Sequence, residues 1–140
     1  MGGTLVAVAA LLALPLAAAP DRPAGAGGVL PARPFSVAAL AQARASGKPV
    51  FAWFTADWCL TCKVNEEVAI ERAETAQAFA RAGVIVLRGD WTRRDPAIAR
   101  YLASQGAAGV PLYVWYPAHG GQPQVLPQLL TAGTLSGLTR

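Results

Sequence analysis

The sequence predicts an α/β fold in which helices cover both faces of a mixed β-sheet. In the first two-thirds of the chain, short apolar runs alternate with helical stretches, which requires parallel strands joined by crossovers. Near the end, two apolar runs flank a turn rich in Pro and Gly, which indicates an antiparallel pair. With 140 residues, the chain is long enough for one domain of ordinary size.

The first residues differ in composition from the rest. Residues 2–19 carry no charge and are mostly Ala, Leu and Val, and their number is at the lower limit for a membrane-spanning helix. A cleaved signal peptide, an uncleaved anchor and the last transmembrane helix of a longer protein all remain open. We therefore predict a transmembrane or signal-like segment over 1–19, a flexible Pro/Gly tether over 20–34 and the folded domain over 35–140.

Basic residues are scattered along the chain. The net charge is +4, and Arg93-Arg94 is the only adjacent basic pair. No basic stripe with interleaved aromatic residues is present, so a nucleic-acid partner is not expected. We interpret Arg93-Arg94 as a solvated turn before a helix.

Each element is predicted by local signals. Capping residues place helix starts after Ser36 and Asp95, and Gly47, Gly83 and Gly106 mark helix ends. The predicted helices are 37–46, a stretch after Cys62 to residue 70, 71–82 with a break near 72–73, 95–105 and 131–140. The predicted strands are 50–55, 84–87, 112–116 and 124–126, with a hairpin-like turn over 118–123.

The two cysteines of the chain, Cys59 and Cys62, lie between strand 50–55 and the helix that follows. Two cysteines with two intervening residues can form a disulfide and reopen it by thiol exchange. At a helix start, the unpaired N–H groups and the helix dipole stabilise a thiolate on the first cysteine. The second cysteine can then attack the mixed disulfide that forms.

Other uses of a cysteine pair require further residues. A structural zinc site needs four ligands, and the chain offers only two cysteines and His119, so zinc would require a dimer. Covalent haem attachment needs His after the second cysteine, where Lys63 stands. A purely structural disulfide remains possible, although a loop this short constrains the unfolded chain little. We therefore expect no metal and no cofactor besides a redox-active Cys59–Cys62 disulfide.

Several motifs together resemble the thioredoxin fold. The order of elements, the segment from Trp58 to Lys63 and a later Gly109-Val110-Pro111 carry this resemblance. The stretches 54–59, 65–66, 90–92 and 110–112 are similar to the C-terminal periplasmic domain of the family of thiol:disulfide interchange protein DsbD. The likeness covers roughly residues 35–140.

The resemblance implies roles for six residues. Cys59 would be the attacking thiolate and Cys62 the resolving thiol. Val110-Pro111 matches the family's cis-proline position and, with Trp58, would contact substrate; an ordinary trans proline is the alternative. Glu66 matches an acidic residue that tunes the cysteines, although a solvated helix carboxylate is an equal alternative.

The chain departs from the thioredoxin pattern at one position. An Asp usually lies six residues before the first cysteine and handles the proton of the resolving thiol, but Trp53 occupies that position here. Because Trp cannot exchange protons, Glu66 or water would have to serve instead.

The resemblance implies a membrane-tethered protein-disulfide reductase in the bacterial inner membrane, with its domain facing the periplasm. Its partners would be a membrane electron donor and oxidised thiol proteins. A thiol–disulfide oxidant or isomerase on the same fold is one alternative. A non-catalytic binding module with a stable disulfide is another.

Overall fold

The computed structural model describes residues 28–140. The predicted apolar segment 1–19 and residues 20–27 of the predicted tether lie outside the described residues. Within residues 28–140, no helix is long and apolar enough to cross a membrane.

The described residues form five strands, five α-helices and two short turns of other helix types. The strands are β1 (Arg33–Pro34), β2 (Val50–Thr55), β3 (Ile85–Asp90), β4 (Leu112–Tyr116) and β5 (Gln124–Val125). The α-helices are α1 (Val37–Ala45), α2 (Leu60–Asn65), α3 (Ala73–Ala82), α4 (Pro96–Ser104) and α5 (Ala132–Gly137). A π-helical turn spans Glu66–Ile70, and a 3₁₀ turn spans Ala118–Gly120.

The five strands form one mixed sheet in the order β1-β3-β2-β4-β5. Strand β3 pairs in parallel with β1 and β2, whereas β4 pairs antiparallel with β2 and β5. The structure therefore confirms the predicted mixed sheet, with parallel crossovers early in the chain and an antiparallel pair near its end.

Helices cover both faces of this sheet. Alternate side chains of a strand point to opposite faces, and every residue of β2 is buried, so both faces are shielded from solvent. Ala52 and Phe54 face α1 and α4, where Leu40 and Leu102 complete the packing. On the opposite face, a second cluster joins the sheet to α3, α5 and the π-helical turn; it includes Phe51, Trp53, Phe79, Ile70 and Leu135.

The helix that follows the cysteines differs from its predicted form. It begins at Leu60 with Cys59 at its N-terminus, as predicted, but after Asn65 it widens into the π-helical turn Glu66–Ile70. The predicted break near residues 72–73 is confirmed, because α3 begins at Ala73. Gly83 ends α3 with φ +68°, in the left-handed region that suits glycine.

The folded domain also begins earlier than residue 35, so the last residues of the predicted tether are packed. Leu30 is only 3% exposed and lies in the core cluster beside α5. Its N–H donates to Glu71 Oε2 at 3.0 Å, and β1 pairs with Leu87 and Arg88. Burial of Leu30 and pairing at the sheet edge outweigh the Pro-rich composition, since proline is tolerated in an edge strand.

Candidate active site

The two cysteines are joined by a disulfide at the start of α2. The Sγ–Sγ distance is 2.11 Å and the Cα–Cα distance is 5.2 Å. Cys59 is the N-cap residue of α2, and its Sγ accepts a hydrogen bond from Cys62 N at 3.2 Å. Because the first N–H groups of a helix lack intrahelical partners, this position favours negative charge on the Cys59 sulfur.

The two cysteines differ in exposure. Cys59 is 7% exposed, whereas Cys62 is 0% exposed and packs with Ala56 and Val110. Cys59 is therefore the more accessible of the two cysteines. Their attacking and resolving roles stay predictions.

A short loop holds the segment that precedes Cys59. Thr92 Oγ1 accepts a hydrogen bond from Asp57 N at 3.0 Å, and Thr92 O accepts one from Trp58 Nε1 at 3.1 Å. Thr92 is in turn fixed by Asp90, whose Oδ1 accepts from Thr92 N at 2.9 Å and from Thr92 Oγ1. The Asp90-Trp91-Thr92 motif thus anchors the approach to the disulfide.

Asp90 is held in its charged form by these contacts. Partial burial raises the pKa of Asp90, but the hydrogen bonds from Thr92 and the charges of Arg88 and Lys63 outweigh burial. The net result is a pKa below the ordinary value. Arg88 Nη1 lies 3.5 Å from Asp90 Oδ2.

The Val110–Pro111 peptide bond is cis, as the resemblance implied. Val110 packs against the cluster of Ala56 and the two cysteines. Within residues 28–140, the backbone N–H and C=O of Val110 form no hydrogen bond. Regular pairing of β4 with β2 begins only at Leu112, which leaves this edge open beside the disulfide.

Glu66 lies one turn beyond Cys62 and is engaged by two side chains. Its Oε1 accepts a hydrogen bond from Thr55 Oγ1, at the end of β2. Its Oε2 accepts one from Lys63 Nζ at 2.8 Å. The Glu66 carboxylate is therefore fixed on the buried side of α2 and is not a freely solvated group.

Trp53 occupies the position where the thioredoxin pattern has an acid. It is 3% exposed and belongs to the core, as predicted, with the Arg88 guanidinium 5.6 Å from its ring centroid. Its Nε1 is buried and has no hydrogen-bond partner in the described part of the chain. No carboxylate replaces the missing acid on β2 itself; Glu66, at the start of the π-helical turn, is the carboxylate that bonds to the end of this strand.

Asn65 was not predicted as a site residue, yet it joins three parts of the domain. Its Nδ2 donates to Tyr113 Oη at 2.9 Å and to Gln128 O, and its Oδ1 accepts from Leu130 N at 3.1 Å. These bonds tie α2 to β4 and to the loop before α5. Burial raises the pKa of Tyr113 to about 12, with the nearby Glu66 charge adding to the effect and the Asn65 bond opposing it.

The structure brings all six predicted site residues to one end of the sheet. Trp58 is 50% exposed at the rim, Cys59 and Cys62 form the disulfide, and Val110 packs directly against it. Sequence reasoning missed Thr55, which donates to Glu66, and Asn65, which ties α2 to β4 and to the loop before α5. Only the buried position of Thr55 at the end of a strand could have signalled its contact with Glu66.

No group of three or more His, Cys, Asp or Glu side chains lies close enough to hold a metal ion within residues 28–140. His119 lies on an exposed turn, where its backbone N–H donates to the Gly47 carbonyl at 2.9 Å.

Comparison with known proteins places the site in a family context. A family model described as thioredoxin-like matches residues 33–118. The chain is 36% identical over 107 residues to thiol:disulfide interchange protein DsbD 1 of Pseudomonas aeruginosa, covering 74% of this chain and 18% of that protein. It is 32% identical over 82 residues to DsbD of Vibrio cholerae, covering 59% of this chain and 13% of that protein.

A solved structure agrees with these relatives. The oxidised C-terminal domain of Neisseria meningitidis DsbD superposes with a TM-score of 0.58 at 25% identity, covering 74% of this chain and 93% of that chain. The likeness to DsbD therefore lies in its C-terminal domain, and the predicted thioredoxin fold is confirmed for the described residues. The chain spans less than a fifth of the length of these two curated relatives.

Proposed function

Because the chain belongs to the thioredoxin-like family, we propose that it is a membrane-tethered protein-disulfide reductase outside the cytoplasm. One observation carries the redox role: a disulfide at a helix start, with one reachable and one buried sulfur, beside a cis Val110–Pro111 bond. This combination suits thiol–disulfide exchange with another protein.

The reaction proceeds in two exchanges and starts from the reduced pair. The Cys59 thiolate attacks one sulfur of a partner disulfide, forms a mixed disulfide and releases the partner's other sulfur as a thiolate, which takes up a proton. Cys62 then loses its proton and attacks the Cys59 sulfur. The Cys59–Cys62 disulfide forms, and the second partner thiol leaves. Two electrons and two protons pass to the partner in total.

Glu66 is the group we assign to the proton of Cys62. It lies one turn beyond Cys62, and Thr55 and Lys63 fix its carboxylate. Trp53 cannot take this part, since its indole has only an N–H donor. Positioning by Thr55 would thus compensate for the missing acid on β2.

The open edge at Val110 would hold the partner chain. An extended partner segment can pair its backbone with the free N–H and C=O of Val110, as a strand added to a sheet edge. Trp58, exposed directly before Cys59, would cover the mixed disulfide. Backbone pairing needs no particular partner side chain, and a mixed disulfide forms with any accessible partner cysteine. Both contacts therefore suit an enzyme acting on several proteins.

The membrane tether and the direction of electron flow rest on the apolar residues 2–19 and on the DsbD relatives. In this proposal a membrane electron donor reduces the Cys59–Cys62 disulfide. The domain then reduces oxidised thiol proteins in the periplasm. No cofactor besides the cysteine pair takes part.

A trapping experiment tests this function. In the Cys62→Ala variant the second exchange cannot occur, so Cys59 should accumulate as a mixed disulfide with partner proteins. Non-reducing electrophoresis with mass spectrometry would detect these species. The Cys59→Ala variant is the matched control and should trap none, because Cys62 is buried. Absence of any adduct in Cys62→Ala, together with an unreactive Cys59, would refute the proposal.

A further inference from the structure

A cationic group lies on two aromatic rings at the rim of the disulfide. The Arg94 guanidinium carbon is 4.9 Å from the ring centroid of Trp58 and 5.1 Å from that of Trp91. The two rings are 6.0 Å apart. We call Trp58, Trp91 and Arg94 the rim platform.

The rim platform touches both walls of the site. Trp58 immediately precedes Cys59, and its Nε1 is fixed by Thr92 O. On the other side, Trp91 packs against Gly109, where a Cβ atom would come within 3.3 Å of Trp91 Cζ3. Gly109 directly precedes the cis Val110–Pro111 bond, so a partner that pairs with Val110 passes close to the rim platform.

Arg94 is held in place but its hydrogen-bonding edge is free. Stacking occupies the flat face of a guanidinium and leaves the N–H groups at its edge available. Within residues 28–140, the Arg94 side chain forms no hydrogen bond and no ion pair. Arg94 also has φ +55°, a left-handed conformation that costs free energy in a residue other than glycine.

The neighbouring acids are engaged by other groups. Asp95 caps α4 by accepting from Ala97 N and Ile98 N. Asp90 binds Thr92 and lies 3.5 Å from Arg88, and Asp57 lies 4.0 Å from Lys63. Arg94 therefore forms no ion pair with these acids in the described residues, and its exposed guanidinium lies at the rim next to Arg93, which is also exposed.

We infer that the rim platform is a specificity subsite that binds a carboxylate of the partner protein, from an Asp or Glu that flanks the partner's disulfide. A planar guanidinium with a free edge can bind a carboxylate through two parallel hydrogen bonds. Contact with the two rings fixes Arg94 beforehand, which lowers the entropy lost on binding. This inference rests on the proposed exchange reaction and adds the class of partner that it favours.

The test uses the full 140-residue chain, reduced, in a non-ionic detergent. Two disulfide-bridged peptides would be compared that differ only in having Glu or Gln beside one cysteine. Their second-order exchange rates would be measured by acid quench and chromatography. We expect the Glu peptide to react about fivefold faster, as for a well-oriented surface ion pair, and the ratio to fall toward one at high salt.

Three variants identify the residue responsible. Arg94→Gln should reduce the Glu/Gln rate ratio to about one, because it removes the charge. Arg94→Lys keeps the charge but loses the planar edge, so it should give an intermediate ratio. This conservative variant separates loss of the charge from a folding defect in Arg94→Gln. Arg81→Gln alters an exposed arginine at the end of α3, and the ratio should stay at the wild-type value.

Equal rates for both peptides with the wild-type chain, or a ratio that Arg94→Gln leaves unchanged, would overturn the inference. In both cases exchange itself still occurs, so the proposed function would stand. If neither peptide exchanges with the wild-type chain, the proposed function fails and the inference fails with it.

Discussion

Two of the predicted site residues, Glu66 and Trp58, are fixed by hydrogen bonds to neighbouring residues. Thr55 and Lys63 fix the Glu66 carboxylate, and Thr92 fixes Trp58. The sequence motifs identified Cys59, Cys62 and Val110-Pro111, because the cysteine spacing and the Val-Pro pair are local signals. They could not reveal the partners, since the contact between Thr55 and Glu66 depends on how α2 packs against the end of β2.

The role assigned to Glu66 leads to a kinetic prediction. Glu66→Gln keeps the shape of the side chain but cannot take a proton, so attack of Cys62 on the mixed disulfide should slow by about tenfold or more. The measurement is the single-turnover decay of a mixed disulfide between Cys59 and a peptide thiol.

Glu67→Gln is the matched control, because Glu67 is exposed and forms no hydrogen bond or ion pair within residues 28–140. An unchanged decay rate in Glu66→Gln would contradict the assignment. The Glu66 carboxylate would then be structural only, through its bonds to Thr55 and Lys63.

At the scale of elements, the helix that carries the cysteines is short and depends on tertiary contacts. Helix α2 has only six residues before the π-helical turn Glu66–Ile70. Residue pattern alone indicated a longer regular helix, because Val64 and Val68 keep helical spacing. The π-helical turn could not be foreseen from local spacing; it directly follows Asn65, whose hydrogen bonds reach β4 and the loop before α5.

Asn65 should therefore contribute to stability more than a typical polar residue. Asn65→Ala leaves Leu130 N–H, Gln128 C=O and the Tyr113 hydroxyl without this partner in a buried region. We expect a loss of about 2–4 kcal/mol in the free energy of unfolding, measured by urea denaturation of the oxidised protein.

Tyr113→Phe is the matched comparison, because it removes one of these bonds and leaves Asn65 with its two backbone partners. It should cost only about 1 kcal/mol. Equal losses for both variants would show that the backbone bonds of Asn65 contribute nothing beyond its contact with Tyr113.

At the scale of the whole molecule, the mixed sheet and the helix order were predictable, but the start of the domain was not. Alternating apolar runs determine how strands pair and which faces are covered. Pro and Gly between residues 20 and 34 predicted a free tether, yet Leu30 is buried and β1 extends the sheet. Burial of one leucine against a distant core is a tertiary effect that composition cannot show.

Two ionisable groups predict how stability depends on pH. The pKa of Asp90 is lowered in the folded state, so its contribution is present above the unfolded value near 3.8 and is lost as pH falls through the folded pKa. The pKa of Tyr113 is raised to about 12, so its contribution is present below about pH 10 and is lost as pH rises toward 12.

The free energy of unfolding should therefore decline at both ends of the pH range. Urea denaturation from pH 2 to 12 would measure this profile. The Asp90→Asn variant should lose part of the acid-side decline and keep the alkaline one. The same acid-side slope in this variant as in the wild type would contradict the role of Asp90.

The proposed function requires that Cys59 and Cys62 form an exchangeable redox pair that works as a reductant. Titration of the full chain in dithiothreitol and glutathione redox buffers, followed by alkylation and mass spectrometry, tests it most directly. We expect a reversible two-electron transition with a midpoint near that of thioredoxin, about −270 mV. A midpoint near about −120 mV would indicate an oxidant instead. A disulfide that stays closed in excess dithiothreitol would contradict the claim altogether.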